Sequence, residues 1–179
     1  MMPVDAQLLA DLQLWYAREA RLLDERRYDL WLETVDEGIR YQVPTRYLTA
    51  QGDVGDFGAW TVERELTQAA DVFLIDDDYA GIRTRIERLQ SGMAWAEMPP
   101  SITRRIVGNV EPGEVHEDDG IEVFSALMAF KSRGPRERSF LTAQRRDLLG
   151  RGDGDFRLRR RTVIIDDTVL MGENLSIIL

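Results

Sequence analysis

The stretch Gly81 to Asn109, GIRTRIERLQSGMAWAEMPPSITRRIVGN, joins a helix signal to a strand signal through a rigid corner. Ile82, Ile86, Leu89 and Met93 recur at helical spacing and form one apolar stripe. Arg83, Arg85, Glu87 and Arg88 fall off that stripe and can stay solvated. Asp76, Asp77 and Asp78 stand just before it, where an aspartate accepts from unpaired N–H groups and suits the positive end of the helix dipole. Gly92 marks the expected helix end, because a left-handed residue there costs least for glycine. Pro99-Pro100 forbids further helix and holds the chain extended, so Ser101 to Val110 is read as a strand leaving the corner.

Working outward, Asp5 to about Arg26 is expected to be a helix, with Leu8, Leu12, Trp15, Glu19 and Leu22 on one row and Leu9, Tyr16, Ala20 and Leu23 beside it. Tyr28 to about Val35 is read as a second, short helix whose Trp31 belongs to the core rather than to a ligand platform. Ile39 to Val43 alternates and ends at Pro44, which suits a half-buried strand. Thr49 to Gly58 is a glycine-rich loop with no calcium-loop spacing, and Val72 to Ile75 is a short apolar strand. Beyond Pro100 the chain reads as consecutive long strands: Ser101–Val110, Ile121–Lys131, Ser139–Leu149 and Asp155–Ile165, with an Asp-Gly turn before the second. The second has two apolar faces, Val123, Leu127 and Ala129 on one and Phe124, Ala126, Met128 and Phe130 on the other, so it needs two covers. Helices first and strands after predict an α+β fold with the helices against one face of a curved sheet, in a single domain spanning 1–179.

Composition narrows the function. At 179 residues the chain can bury about 70% of its unfolded surface. It has no cysteine, which excludes disulfides, thiolate catalysis and cysteine-held zinc or iron–sulfur groups. No run of about 18 apolar residues suggests a membrane span, and Met1-Met2-Pro3-Val4-Asp5 does not resemble a secretory signal, so a cytoplasmic address is expected. A net charge of −9 argues against nucleic acid as a partner.

The candidates for chemistry are few. His116 is the sole histidine and stands beside Glu117, Asp118 and Asp119. A facial triad needs two histidines and a carboxylate, and a Rieske centre needs two histidines and two cysteines, so neither can be built here. Strict alternation places Arg157, Arg159 and Arg161 on one strand face, where they can answer carboxylates within the subunit or across an interface. The corner offers Trp95, Glu97, Pro99, Pro100 and Arg104 as candidate subunit-interface residues. The competing reading of Trp95 is a plug for the open end of the sheet.

Gly92-Met93-Ala94-Trp95-Ala96-Glu97 followed by Pro99-Pro100-Ser101 resembles the signature of the small (beta) subunit of aromatic-ring-hydroxylating dioxygenases, the Rieske non-haem iron oxygenases. Tyr16 to Asp24, Arg145-Arg146-Asp147-Leu148-Leu149 and Asn174-Leu175-Ser176 resemble that family in the same order, while Arg105 stands where many members carry histidine. The resemblance implies an NTF2-like (cystatin-like) cone, a long curved and mostly antiparallel sheet wrapped on N-terminal helices. It implies a structural subunit that trimerises and carries large (alpha) subunits in an α3β3 assembly. The Rieske [2Fe–2S] cluster and mononuclear Fe(II) are expected in that large subunit, with no cofactor in this chain. Ferredoxin and reductase would act only through it, and the holoenzyme would cis-dihydroxylate an aromatic compound with electrons from NAD(P)H. Similar cones also serve as isomerases or dehydratases, including SnoaL-like ones, and as small-molecule binding modules. For those readings Tyr16, Tyr28, Tyr41, Asp36 and Trp95 are the residue types a pocket would use.

Overall fold

In the computed structural model the residues described are 5–46, 61–66, 73–91, 100–116, 120–134, 137–152, 155–167 and 178–179. The first helix, α1 (Ala6–Asp24), begins at Asp5, whose carboxylate accepts from the Gln7 N–H at 3.0 Å. Its buried face is Leu12, Trp15, Tyr16, Glu19, Ala20 and Leu23, the row and flank read from the sequence. It closes with Arg26 left-handed at φ 57°, Arg27 N–H reaching Leu22 O and Arg26 N–H reaching Leu23 O. That is the Schellman closure, made here with an arginine where glycine is usual.

The second helix, α2 (Tyr28–Leu32), is shorter than expected. Thr34 and Val35 are β-branched, and the chain turns straight into β1 (Val35–Val43), four residues earlier than the alternation at Ile39 suggests. A short α3 (Val62–Glu65) is followed by β2 (Ile75–Asp77), which lies later than the Val72–Ile75 run. Next comes α4 (Tyr79–Gln90), capped by Asp78, whose carboxylate accepts from Gly81 N–H at 2.8 Å. Ile82 and Ile86 are its buried residues. The predicted helix end at Gly92, the loop 49–58 and the 117–119 turn lie outside the described residues.

Four long strands then run as β3 (Ile102–Val115), β4 (Gly120–Arg133), β5 (Glu137–Arg151) and β6 (Phe156–Ile165). Each extends beyond the apolar pattern or matches it, because a ladder carries polar residues wherever the neighbouring strand supplies hydrogen bonds. The six strands form one sheet in the order β2-β1-β6-β5-β4-β3, antiparallel except for β1 with β6. Helix α1 packs on the concave face at β3, and α4 packs at β1 and β2. On β4, Val123, Leu127 and Ala129 are buried while Phe124, Met128 and Phe130 are exposed, so the two apolar faces fall as expected. Strand β3 is an edge strand, and Asn109, left-handed at φ 50°, sits where its register with β4 slips between Gly108 and Glu111. A bulge of this kind, with Pro112 three residues on, makes the edge a poor template for another strand. Among the described residues no helix is long and apolar enough to cross a membrane.

Candidate functional site

The concave face of the sheet meets α1 at an ion network. Glu19 comes from α1, Arg145 and Asp147 from β5 and Arg161 from β6, and all four are buried. Arg161 links the two carboxylates. Its Nη1 and Nη2 donate to Glu19 at 2.7 and 3.1 Å, and its Nε and Nη2 donate to Asp147 at 2.9 and 2.7 Å. Arg145 Nη1 donates to Glu19 at 3.1 Å, and the Trp31 indole donates to the same carboxylate at 3.1 Å. The Tyr16 hydroxyl donates to Asp147 at 2.8 Å. The Tyr41 hydroxyl donates to Leu179 O at 2.8 Å and accepts from Leu179 N–H at 2.9 Å.

A bulge puts Arg161 there. Leu158 pairs with Leu149 and Arg160 with Leu148, so Arg159 is an extra residue and the inward set changes parity after Leu158. Arg161, Val163 and Ile165 then point inward and Arg160 outward. The expectation that Arg157, Arg159 and Arg161 share one face is therefore corrected: alternation fails at a bulge. Gly150 makes room for it, since a Cβ there would overlap the Arg159 guanidinium. The choice of carboxylates over nucleic acid for these arginines holds at Arg161.

The electrostatics lock each group. Burial raises the Glu19 carboxyl, but the charges of Arg161 and then Arg145, with hydrogen bonds from Arg161 and Trp31, outweigh it and hold the pKa at about 2. Burial, and next the Asp147 charge, push the Tyr16 hydroxyl well above its ordinary value. Burial also raises Tyr41, against the pull of Arg161. For Arg161 burial works against the cation, yet Asp147 and Glu19 together raise it well above its ordinary value. Both carboxylates thus accept from fixed donors, and the two tyrosine hydroxyls are spent on internal acceptors. A general base needs a proton acceptor turned toward a substrate, and this arrangement presents none.

A second cluster fixes the start of β3. Asp24, at the end of α1, accepts from Arg105 N–H at 2.9 Å, from Thr103 Oγ1 at 3.2 Å and from the Arg105 guanidinium. Arg105 in turn donates to Ile178 O at 3.0 and 2.8 Å. Arg26 donates to Ser101 O at 2.8 Å. Of the interface candidates, Pro100 is exposed and the Arg104 side chain is 70% exposed, with Asp24 3.7 Å away. Trp95, Glu97 and Pro99 lie outside the described residues.

The other sequence candidates separate. Tyr16 and Tyr41 enter the network, Tyr28 is half-buried beside the core, and Asp36 accepts from Gly38 N–H near the surface. Trp31 is fully buried, as the core reading requires. His116 is half-buried with Nε2 3.5 Å from Glu122. Among the described residues no group of three or more His, Cys, Asp or Glu could hold a metal. On the convex face a hollow of about 280 Å³ is lined by Glu122, Phe124, Arg146, Arg160 and Thr162, and its charges are answered nearby, Arg146 by Glu63 at 3.0 Å and Arg160 by Glu122 at 3.7 Å. Ile178 and Leu179 are buried and belong to the core of this subunit.

Helices backing one face of a six-stranded mixed sheet, with a buried ion network between them, define an NTF2-like fold. The family model described as "Ring hydroxylating beta subunit" matches residues 18–171, and the chain belongs to that family. It is 30% identical to the benzene 1,2-dioxygenase subunit beta of Pseudomonas putida, over 97% of this chain and 90% of that one. It is 34% identical to the N,N-dimethyl phenylurea N-demethylase subunit beta of Sphingobium sp., over 91% and 86%. Its fold matches a chain of naphthalene 1,2-dioxygenase with a TM-score of 0.85 at 23% identity, covering 100% of this chain and 89% of that one.

Proposed function

We propose that this chain is the non-catalytic scaffold of a multicomponent ring-hydroxylating oxygenase, trimerising and carrying large subunits in an α3β3 assembly. The iron centres, a Rieske [2Fe–2S] cluster and a mononuclear Fe(II), would reside in the large subunit, which would receive electrons from NAD(P)H through its reductase chain. The observation that carries the reading is the ion network: Glu19 and Asp147, the buried carboxylates of the concave face, are fully engaged by Arg145, Arg161, Tyr16 and Trp31. A stand-alone isomerase or dehydratase would need one of these carboxylates turned toward a ligand as its base. The reaction of the holoenzyme is taken to be cis-dihydroxylation of an aromatic ring. The N-demethylase relative supports a second outcome, oxidation at an N-methyl group, with the choice made by the large subunit.

Docking is placed at the corner, through Trp95, Glu97, Pro99, Pro100 and Arg104. The exposure of Pro100 and Arg104, and the clamp that Asp24 and Arg26 form beneath them, support this. The test is co-expression with the large subunit. Arg104→Glu should leave the melting temperature of this chain unchanged and lower the yield of co-purified large subunit. Wild-type yield and turnover with that variant would remove the corner from the interface.

A further inference from the structure

A guanidinium presents Nε–H and Nη2–H along one edge, which suits an acceptor approached side-on. Among the described residues three arginines are buried, Arg105, Arg145 and Arg161. Arg105 lays that edge on Ile178 O at 3.0 and 2.8 Å, and Arg161 lays it on Asp147 at 2.9 and 2.7 Å. Arg145 differs. Its Nη1 is held by Glu19, but its Nε and Nη2 have no hydrogen-bond partner among the described residues although the side chain is fully buried. The hydroxyl of Ser125 is likewise buried and unpartnered among them. Ser125 and Arg145 stand directly opposite each other in the β4–β5 register, both on the concave face.

A buried polar group left unsatisfied is costly, so three such groups on two directly opposed residues of one face call for a partner. That partner must be compact, accept from two donors on one edge and satisfy a hydroxyl beside them. Charge narrows the choice. Among the described residues Arg105, Arg145 and Arg161 are matched by Glu19, Asp24 and Asp147, and an added anion would be a buried charge without a counterpart. Water can accept from both nitrogens, donate to the hydroxyl oxygen and add no charge, and buried waters make about three hydrogen bonds.

We propose that one ordered water molecule is bound between the Nε–Nη2 edge of Arg145 and the hydroxyl of Ser125, as a fixed member of the buried network between α1 and the sheet. It joins β4 to a network that otherwise ties β5 and β6 to α1. This assignment goes beyond the scaffold reading and does not depend on it.

The test is a crystal structure of the full chain, alone or with its large subunit, at a resolution that shows ordered water. The expected result is a density peak about 2.7–3.2 Å from Arg145 Nε, Arg145 Nη2 and Ser125 Oγ, with no anomalous signal after chloride is exchanged for bromide. A bromide signal at the site overturns the proposal, as does an Arg145 edge turned onto a protein acceptor or an absence of density. Ser125→Ala removes one of the three bonds and should lower the melting temperature by about 2–4 °C, while Ser139→Ala, at an exposed position, should not. An unchanged melting temperature for Ser125→Ala also overturns it.

Discussion

Arg161 of β6 and Glu19 of α1 are joined by two hydrogen bonds, Nη1 to Oε1 at 2.7 Å and Nη2 to Oε2 at 3.1 Å, with both side chains at most 1% exposed. The pair spans 142 residues of sequence and fastens the first helix to the last strand. Desolvating such a pair costs several kcal/mol, so its net contribution to stability is small while its rupture is expensive.

Glu19→Gln should therefore destabilise the chain by about 3–5 kcal/mol, because Arg145 and Arg161 lose the carboxylate between them. Urea unfolding measures it. Glu19→Met combined with Arg161→Met should cost less than the two single changes added together, since the bonds between these two residues are then lost once rather than counted twice. Additive losses would show that the two residues act independently.

The same carboxylate sets a pH dependence. Its folded pKa of about 2 lies below its ordinary value of 4.5, so the unfolded chain takes up the proton first. The contribution is complete above about pH 5 and is lost as pH falls toward 2, amounting to about 3 kcal/mol. Unfolding free energies from pH 7 down to pH 3 should fall more steeply for the wild type than for Glu19→Gln. Parallel acid limbs would assign the acid sensitivity elsewhere.

Much of this was legible in the sequence, and the gaps have physical causes. The α4 cap at Asp78, the stripe through Ile82 and Ile86 and the two faces of β4 follow from local periodicity, which a sequence displays directly. Glu19 stood in an apolar row, and a charge in such a row is the sign of a buried pair. Its partners were hidden because they lie 126 and 142 residues away. Arg161 was assigned to the wrong company because a bulge at Arg159 reverses alternation, and a bulge leaves no mark in apolar spacing. The shortened α2 reflects the competing pull of β1. Of the corner, Pro100 and Arg104 are exposed as a docking surface requires, and the remaining three candidates lie outside the described residues.

Arg26 tests the closure of α1. A side chain in the left-handed region costs about 1–2 kcal/mol, and Arg26→Ala and Arg26→Gly both lose the bond to Ser101 O. The glycine variant should exceed the alanine variant in stability by about 1 kcal/mol. Equal stabilities would mean that the turn relaxes out of the left-handed region once the guanidinium is gone.

The convex face bears on self-association. Ile106, Met128, Phe130 and Phe140 are exposed there, with Phe130 opposite Phe140 and Ile106 opposite Met128. Met128→Glu should lower the mass seen by light scattering without lowering the melting temperature of the subunit. An unchanged mass would place any self-association contact on another surface.

The scaffold account is tested most directly by native mass spectrometry with metal analysis on this chain purified alone and with its large subunit. The account predicts an iron-free, turnover-free chain when alone and an assembly with equal numbers of both subunits, carrying all its iron on the large one, when together. Stoichiometric iron or turnover in the isolated chain, or failure to bind an active large subunit, would contradict it.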